Sequence, residues 1–334
     1  MTARSLVRPT SEEPSVSDRF AELVDPHRRE LLVYCYRMLG SLHDAEDLVQ
    51  DTMLRAWRAR DSYDSGRASL RTWLYRIATN ACLTALAGAD RRVLPSDVVE
   101  PAAELRWPSP AGREAPWLEP LPAVMAAGLP EDPAAVIATR DSVRLAFVVA
   151  LQRLPARQRA VLILRDVLAI PAAEVAETLG TSVASVNSAL QRARARLAEL
   201  APEQDATSTP ADAGARAIVE KYLEAFVAGD MTTLVSLMRS DIELEMPPVD
   251  TWYSGRALVS GFFAGRAVPY RFRARVVGVN ASLGFAAYRA DGSGGYAANH
   301  LQHLTIVDGQ VTRVVAFLDP ALFRSFGLPP TWSE

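Results

Sequence analysis

The 334-residue sequence predicts a multidomain chain, with two all-α segments followed by an α+β domain. Three observations carry that expectation. Apolar residues recur at three and four from Phe20 to about Gly88, and again from Ala134 to Leu200, the period of helices that bury one face. Between these segments nine prolines, from Pro95 to Pro133, crowd a stretch that can sustain neither helix nor central strand. After about Ala215 the period changes. Two helical segments lead into strand-like runs, and Asp308-Gly309, a strong hairpin dipeptide, separates the last two.

These shifts divide the chain into a tail expected to be disordered (1–17), a helical domain (18–90), a proline-rich linker (91–135), a second helical domain (136–202), a polar linker (203–213) and the α+β domain (214–330). The net charge of −3 gives no global sign of nucleic-acid binding. Lys221 is the only lysine among 36 basic residues. No apolar run approaches the ~18–20 residues of a membrane span, and the N-terminus lacks the apolar core of a secretory signal. A cytoplasmic protein with no membrane partner is therefore expected. Cys35 and Cys82, each inside a helical apolar pattern, read as buried free thiols.

In the first helical domain, "HDAEDLVQDTMLRAW" (residues 43–57) gathers a histidine and four acids. Ser41, with Asp44 three residues on, resembles a capping box, and the early acids complement the helix dipole. Asp44, Asp47 and Asp51 fall on one face, beside an apolar stripe that includes Leu48, Val49, Met53 and Trp57. Aspartates on one exposed helix face do not enclose an ion, and a helix start offers no pocket to shift a pKa. No metal, catalytic residue or cofactor is expected there. A protein-binding face or a merely solvated one remains.

In the second helical domain, one helix runs through Ala160–Leu164, a short one starts at Pro171 and ends before Gly180, and Ser182 can cap a third. Helix, glycine-containing turn and helix make a helix-turn-helix, locked by Val175, Ala176, Leu179, Val186 and Leu190. That leaves Ser185, Asn187, Ser188 and Gln191 on an open face, suited to base edges in a major groove. Arg192, Arg194 and Arg196 follow, suited to phosphates.

Together, "HDAEDLVQDTMLRAW", "SLRTWLYRIATNACL" and "GTSVASVNSALQRARARL" resemble, in order and spacing, the bacterial sigma-70 factors of the extracytoplasmic-function (ECF) branch, from about Phe20 to Leu200. The resemblance implies that Asp44, Asp47, Gln50 and Asp51 grip core RNA polymerase. It implies that Tyr63, Arg67, Arg71, Trp73, Arg76 and Asn80 melt and read the minus-ten promoter element. Ser185, Asn187, Ser188, Gln191, Arg192, Arg194 and Arg196 would read the minus-thirty-five element. Arginine can hold a separated strand's backbone and an aromatic can replace lost base stacking. One departure stands out. Asn187 and Ala189 occupy first-turn positions where the family often carries lysine or arginine, which implies weaker stand-alone DNA binding.

The linker contains "APWLEPLP", where Trp117 and Leu118 sit in a proline-stiffened frame; it is either a plain tether or, as expected here, a docking peptide for polymerase or for the C-terminal domain. Residues 215–328 resemble the SnoaL-type, NTF2-like α+β cone, with "WYSGRALVSGFF" as its third helix. Such cones enclose an apolar pocket. Glu245, Met246, Trp252, Tyr253, His300 and His303 are the candidate lining, for a small molecule or an intramolecular ligand, although His300 and His303 differ in strand parity and should face opposite sides. A catalytic set of Glu245, Asp319 and a histidine is not expected, because fold does not give function. The expected function is an ECF sigma factor whose C-terminal domain modulates it in cis. A stand-alone ligand-responsive helix-turn-helix regulator is the alternative. A fused regulator makes an anti-sigma partner less necessary without removing it.

Overall fold

The computed structural model describes residues 16–106, 115–126, 142–200, 213–267 and 271–332. The expectation for the tail lies outside these residues except at its end, as do nearly all of the polar linker at 203–213 and much of the proline-rich linker. Helices α1 (Val16–Val24), α2 (Arg28–Leu39), α3 (Leu42–Arg58) and α4 (Leu70–Ala85) form the first domain. Gly40 ends α2 at φ 72°, a conformation that favours glycine. Ser41 then caps α3, accepting the Asp44 N–H at 3.1 Å, and Ser69 caps α4 in the same way through Thr72. Cys35 and Cys82 are free thiols buried between these helices.

A short α5 (Ala123–Ala126) belongs to the linker. The second domain contains α6 (Leu145–Gln152), α7 (Ala156–Leu162) running on into a π-turn over Ile163–Val167, α8 (Ala172–Thr178) and α9 (Val183–Leu200). Gly180, at φ 59°, turns the chain between α8 and α9, and Ser182 Oγ accepts the Ser185 N–H at 3.2 Å. Val175 and Val186 are fully buried between these two helices.

The C-terminal domain packs α10 (Ala213–Ala228), α11 (Met231–Leu237) and α12 (Arg256–Ala267) on a six-stranded sheet ordered β2-β1-β6-β5-β4-β3. Its strands are β1 (Met238–Met246), β2 (Val249–Ser254), β3 (Phe272–Val279), β4 (Ser282–Ala290), β5 (Tyr296–Val307) and β6 (Gln310–Phe317). Only β1 and β6 run parallel. Asp308 and Gly309, both at positive φ, close the β5–β6 hairpin. Trp252 and Tyr253, expected in the third helix, lie in β2 instead, because Tyr253 pairs with Leu244 of β1 and aromatic residues favour strands. The helix begins at Arg256.

Of the two readings of the linker, plain tether or docking peptide, its described parts take the packed form, a strap laid against the C-terminal and helical domains. Val93 bridges Trp117, Pro122 bridges Val279 of β3, and Leu118 and Leu121 are fully buried. One hydrophobic core runs through Leu31 of α2, Leu74 of α4, Leu118 of the strap, Val148 of α6 and Phe317 on the outer face of the sheet. A second core fills the cone between the sheet's inner face and its helices, around Tyr222, Phe226, Phe262 and Phe285.

Candidate functional site

Three surfaces carry the residues singled out above. On α3, Asp47 is 70% exposed, with His43 at 3.8 Å, and Asp51 pairs with Arg55 at 2.8 Å. Gln50 lines a neighbouring groove of about 590 Å³ between α1 and α3, with Phe20, Met53, Leu54 and Trp57. Leu54 is half exposed there, an apolar side chain that helix phase alone did not mark as part of a surface. Asp44 is set apart from the other two aspartates. Arg92 of the strap holds its carboxylate, and Arg92 also donates to the Trp117 carbonyl at 3.0 Å. Beside it, Glu119 of "WLEPLP" sits over the start of α3, where its Oε2 accepts from Ser41 Oγ at 3.0 Å and from the His43 N–H at 3.1 Å. A carboxylate at a helix N-terminus meets unpaired amides and the positive end of the dipole.

The second surface belongs to α4. Trp73 is half buried, packed between Phe20 at 6.5 Å and Tyr63 at 5.2 Å between ring centroids. Arg71 faces inward: its Nε donates to buried Glu30 at 2.8 Å, and its guanidinium lies 5.0 Å from the Tyr75 ring centroid. It braces α4 against α2, and its placement as a strand-holding residue is corrected on that ground. Arg76 and Arg67 point the other way, towards α8 of the helix-turn-helix. Arg76 donates to Glu177 at 3.0 Å, Arg67 lies 3.9 Å from the same carboxylate, and Thr72 Oγ1 donates to Glu174 at 2.9 Å. Asn80 is exposed further along. Deeper in the same interdomain contact, Arg159 of α7 donates to the Met38 carbonyl and Gln152 donates to the Arg37 carbonyl at 3.1 Å, so both meet the carbonyl end of α2. Burial lowers the Arg159 pKa to about 10.

The third surface is the face of α9, where Ser185, Asn187, Ser188, Gln191 and Arg192 are all exposed. Arg194 and Arg196 are exposed as well, but Arg194 grips Asp166 through two hydrogen bonds of 2.6 and 2.8 Å, and Arg196 pairs with Glu199 at 2.7 Å.

In the C-terminal domain the six candidate lining residues divide between two faces. His300, Met246 and Tyr253 are on the inner side, His300 against Phe226 and Phe272 and hydrogen-bonded to Gln302 at 2.9 Å. Glu245 and His303 sit in one row on the outer face, each paired with Val315, so they do not line the cone. The carboxylate of Glu245 accepts from Arg313 and, at 2.9 Å, from the Ser96 N–H of the strap. His303 is buried beside them, and burial with Arg313 nearby pushes its pKa down to about 3. Trp252 Nε1 donates to the Val99 carbonyl at 2.8 Å, and Tyr253 donates to that of Arg106. The intramolecular occupant of this region is thus the strap, held along β2 and the outer face.

Asn280, in the β3–β4 turn, joins the parts and carried no functional mark in the sequence. Fully buried at φ 48°, it donates from Nδ2 to Tyr36 of α2 at 2.7 Å and to the Val143 carbonyl at 2.9 Å, and accepts the Leu121 N–H at 2.9 Å. One side chain therefore ties the C-terminal domain to both helical domains and to the strap. Among the described residues no group of acids, histidines and cysteines is placed to hold a metal, and no helix is long and apolar enough to cross a membrane.

Comparison with known proteins follows the same three divisions. Residues 23–92 match the family profile of Sigma-70 region 2, residues 144–197 that of Sigma-70 region 4, and residues 219–314 that of the SnoaL-like domain. The chain is 45% identical to the ECF RNA polymerase sigma factor SigG of Mycobacterium tuberculosis, over 97% of this chain and 88% of that one. It is 31% identical to SigJ of the same organism over 89% of this chain and 90% of that one. The crystal structure of SigJ superposes with a TM-score of 0.58, at 25% identity, covering 93% of this chain and all of SigJ.

Proposed function

The chain belongs to the ECF family of RNA polymerase sigma factors, and from that premise we propose which of its surfaces meet core polymerase and promoter DNA, and what its C-terminal domain adds. It binds core RNA polymerase and directs promoter-specific initiation; a stand-alone helix-turn-helix regulator would leave region 2 without a purpose. Asp47, Gln50 and Asp51, with the apolar groove beside them, form the polymerase-facing side. Arg67, Arg76, Asn80 and Trp73 form the minus-ten surface. The exposed face of α9 reads the minus-thirty-five element. Polymerase places the work in the cytoplasm.

The C-terminal domain restrains the helical domains in cis. The observation that carries this is Asn280, whose single side chain bonds α2, the strap and the start of the second helical domain together. We assign it no catalysis: Glu245 is already held by Arg313 and by the Ser96 N–H of the strap, and His303 is buried on that same outer face, on the opposite side of the sheet from His300.

The test is in vitro transcription with core enzyme. The full chain should co-elute with core polymerase and yield promoter-specific transcripts; failure of both sinks the reading. Asp47→Arg with Asp51→Arg should cut core affinity by tenfold or more, on the order of 1.4 kcal/mol, with folding unchanged. Asn280→Ala should raise transcript yield at equal core affinity, and an unchanged yield removes the restraining role.

A further inference from the structure

We propose that the acidic edge of α8, Glu174 and Glu177, acts as an internal stand-in for promoter phosphate, so that the helix-turn-helix domain itself covers the minus-ten surface of the free chain. This rests on the reading above that Arg67 and Arg76 contact DNA.

Glu177 receives Arg76 at 3.0 Å and lies 3.9 Å from Arg67, so one carboxylate sits between two guanidinium groups, as a phosphate does when two arginines hold it. Glu174, one turn earlier on the same helix, accepts from Thr72 Oγ1 at 2.9 Å, the kind of hydroxyl that also donates to phosphate oxygens. All three donors lie on α4 or in the loop before it, and both acceptors lie on α8. The covered set is the one that faces α8, while Arg71 on the inward side is engaged by Glu30. The first helix of the helix-turn-helix therefore does the covering, and the recognition face of α9 stays open.

Arg76 and Glu177 are about half exposed and Arg67 is 76% exposed, so each pair is worth little alone and is screened by salt. That suits a reversible cover. DNA that brings a row of phosphates can displace two carboxylates. The geometry also separates the two promoter contacts: the minus-ten and minus-thirty-five elements lie about 85 Å apart along B-DNA at 3.4 Å per base pair, whereas α4 and α8 touch here. Engaging both elements requires α8 to leave α4, and leaving uncovers Arg67 and Arg76 in the same movement.

The experiment measures binding of the full chain, without polymerase, to a fluorescein-labelled 20-nucleotide single-stranded DNA of mixed sequence at low salt. Glu174→Gln with Glu177→Gln keeps side-chain shape and removes both charges. It should tighten binding by about fivefold, within what two exposed ion pairs can supply. Adding Arg67→Ala and Arg76→Ala should erase that gain. Unchanged affinity in the glutamine variant overturns the proposal, and so does a gain that survives loss of both arginines. A parallel assay of promoter opening by holoenzyme carrying Arg67→Ala and Arg76→Ala separates the two layers. Unchanged opening there sinks the DNA-contact reading itself; impaired opening, with a glutamine variant that binds no tighter, sinks only the cover.

Discussion

The two DNA-reading surfaces proposed for this sigma factor are presented differently. On α9, the residues that would meet base edges stand in solvent, with arginines beside them. On α4 and the loop before it, the arginines that would meet the separated strand, Arg76 and Arg67, are set against Glu177. The contrast has a physical origin. A recognition helix can wait exposed because small and amide side chains cost nothing in water, and stand-alone binding stays weak without a dense cationic face. A strand-separating surface carries aromatic and cationic groups that attract nucleic acid of any sequence.

Substitutions that break the contrast should do so through the joint that holds the cover. Asn280→Ala removes three buried hydrogen bonds and places alanine at positive φ, so it should destabilise the chain by about 3 kcal/mol in urea unfolding. Small-angle scattering of the variant should show separation of the helical domains; an unchanged radius would mean that the cover does not depend on this joint.

Acidification tests a different contact, the outer face of the sheet where Ser96 of the strap meets Glu245. His303, packed near Arg313 and Glu245, is neutral in the folded chain, with a pKa of about 3, and takes up a proton near 6.5 when unfolded. Its contribution is complete above pH 6.5 and is lost as pH falls from there towards 3, by about 2 kcal/mol at pH 5. Unfolding free energy measured between pH 7 and pH 5 should show this slope, and His303→Leu should flatten it. The smallest effect on stability belongs to the open face. Asn187→Ala and Gln191→Ala should leave unfolding within about 0.5 kcal/mol of the parent while relaxing base preference at the minus-thirty-five element by about 1 kcal/mol per lost contact. A stability loss larger than this would show that the face is packed, not free.

Much of the helical part was legible because its signals are local. Gly40 and Ser41 end one helix and start the next within two residues, and Gly180 and Ser182 do the same in the helix-turn-helix. That the strap docks is legible in Trp117 and Leu118; its course and its partners are not. Proline removes both helical period and strand alternation, and its partners are remote: Glu119 meets Ser41, and Leu121 meets Asn280, across 78 and 159 residues. Nothing in "VNAS" says that a buried turn falls there. Strand parity puts His300 and His303 on opposite faces, yet it could not say which face was covered by helices and which by the strap. Parity alone therefore leaves Glu245 and His303 as candidates for the cone, although both lie on the outer face.

Gly278 extends the point. A β-carbon built at this position on β3 would lie 2.6 Å from Cβ of Ala123 in the strap, so strand and strap are fitted to within a single methyl group. A C-terminal domain carrying any side chain at this place would not seat unless the strap changed with it. The two segments form one heritable unit, although about 150 residues of chain separate them.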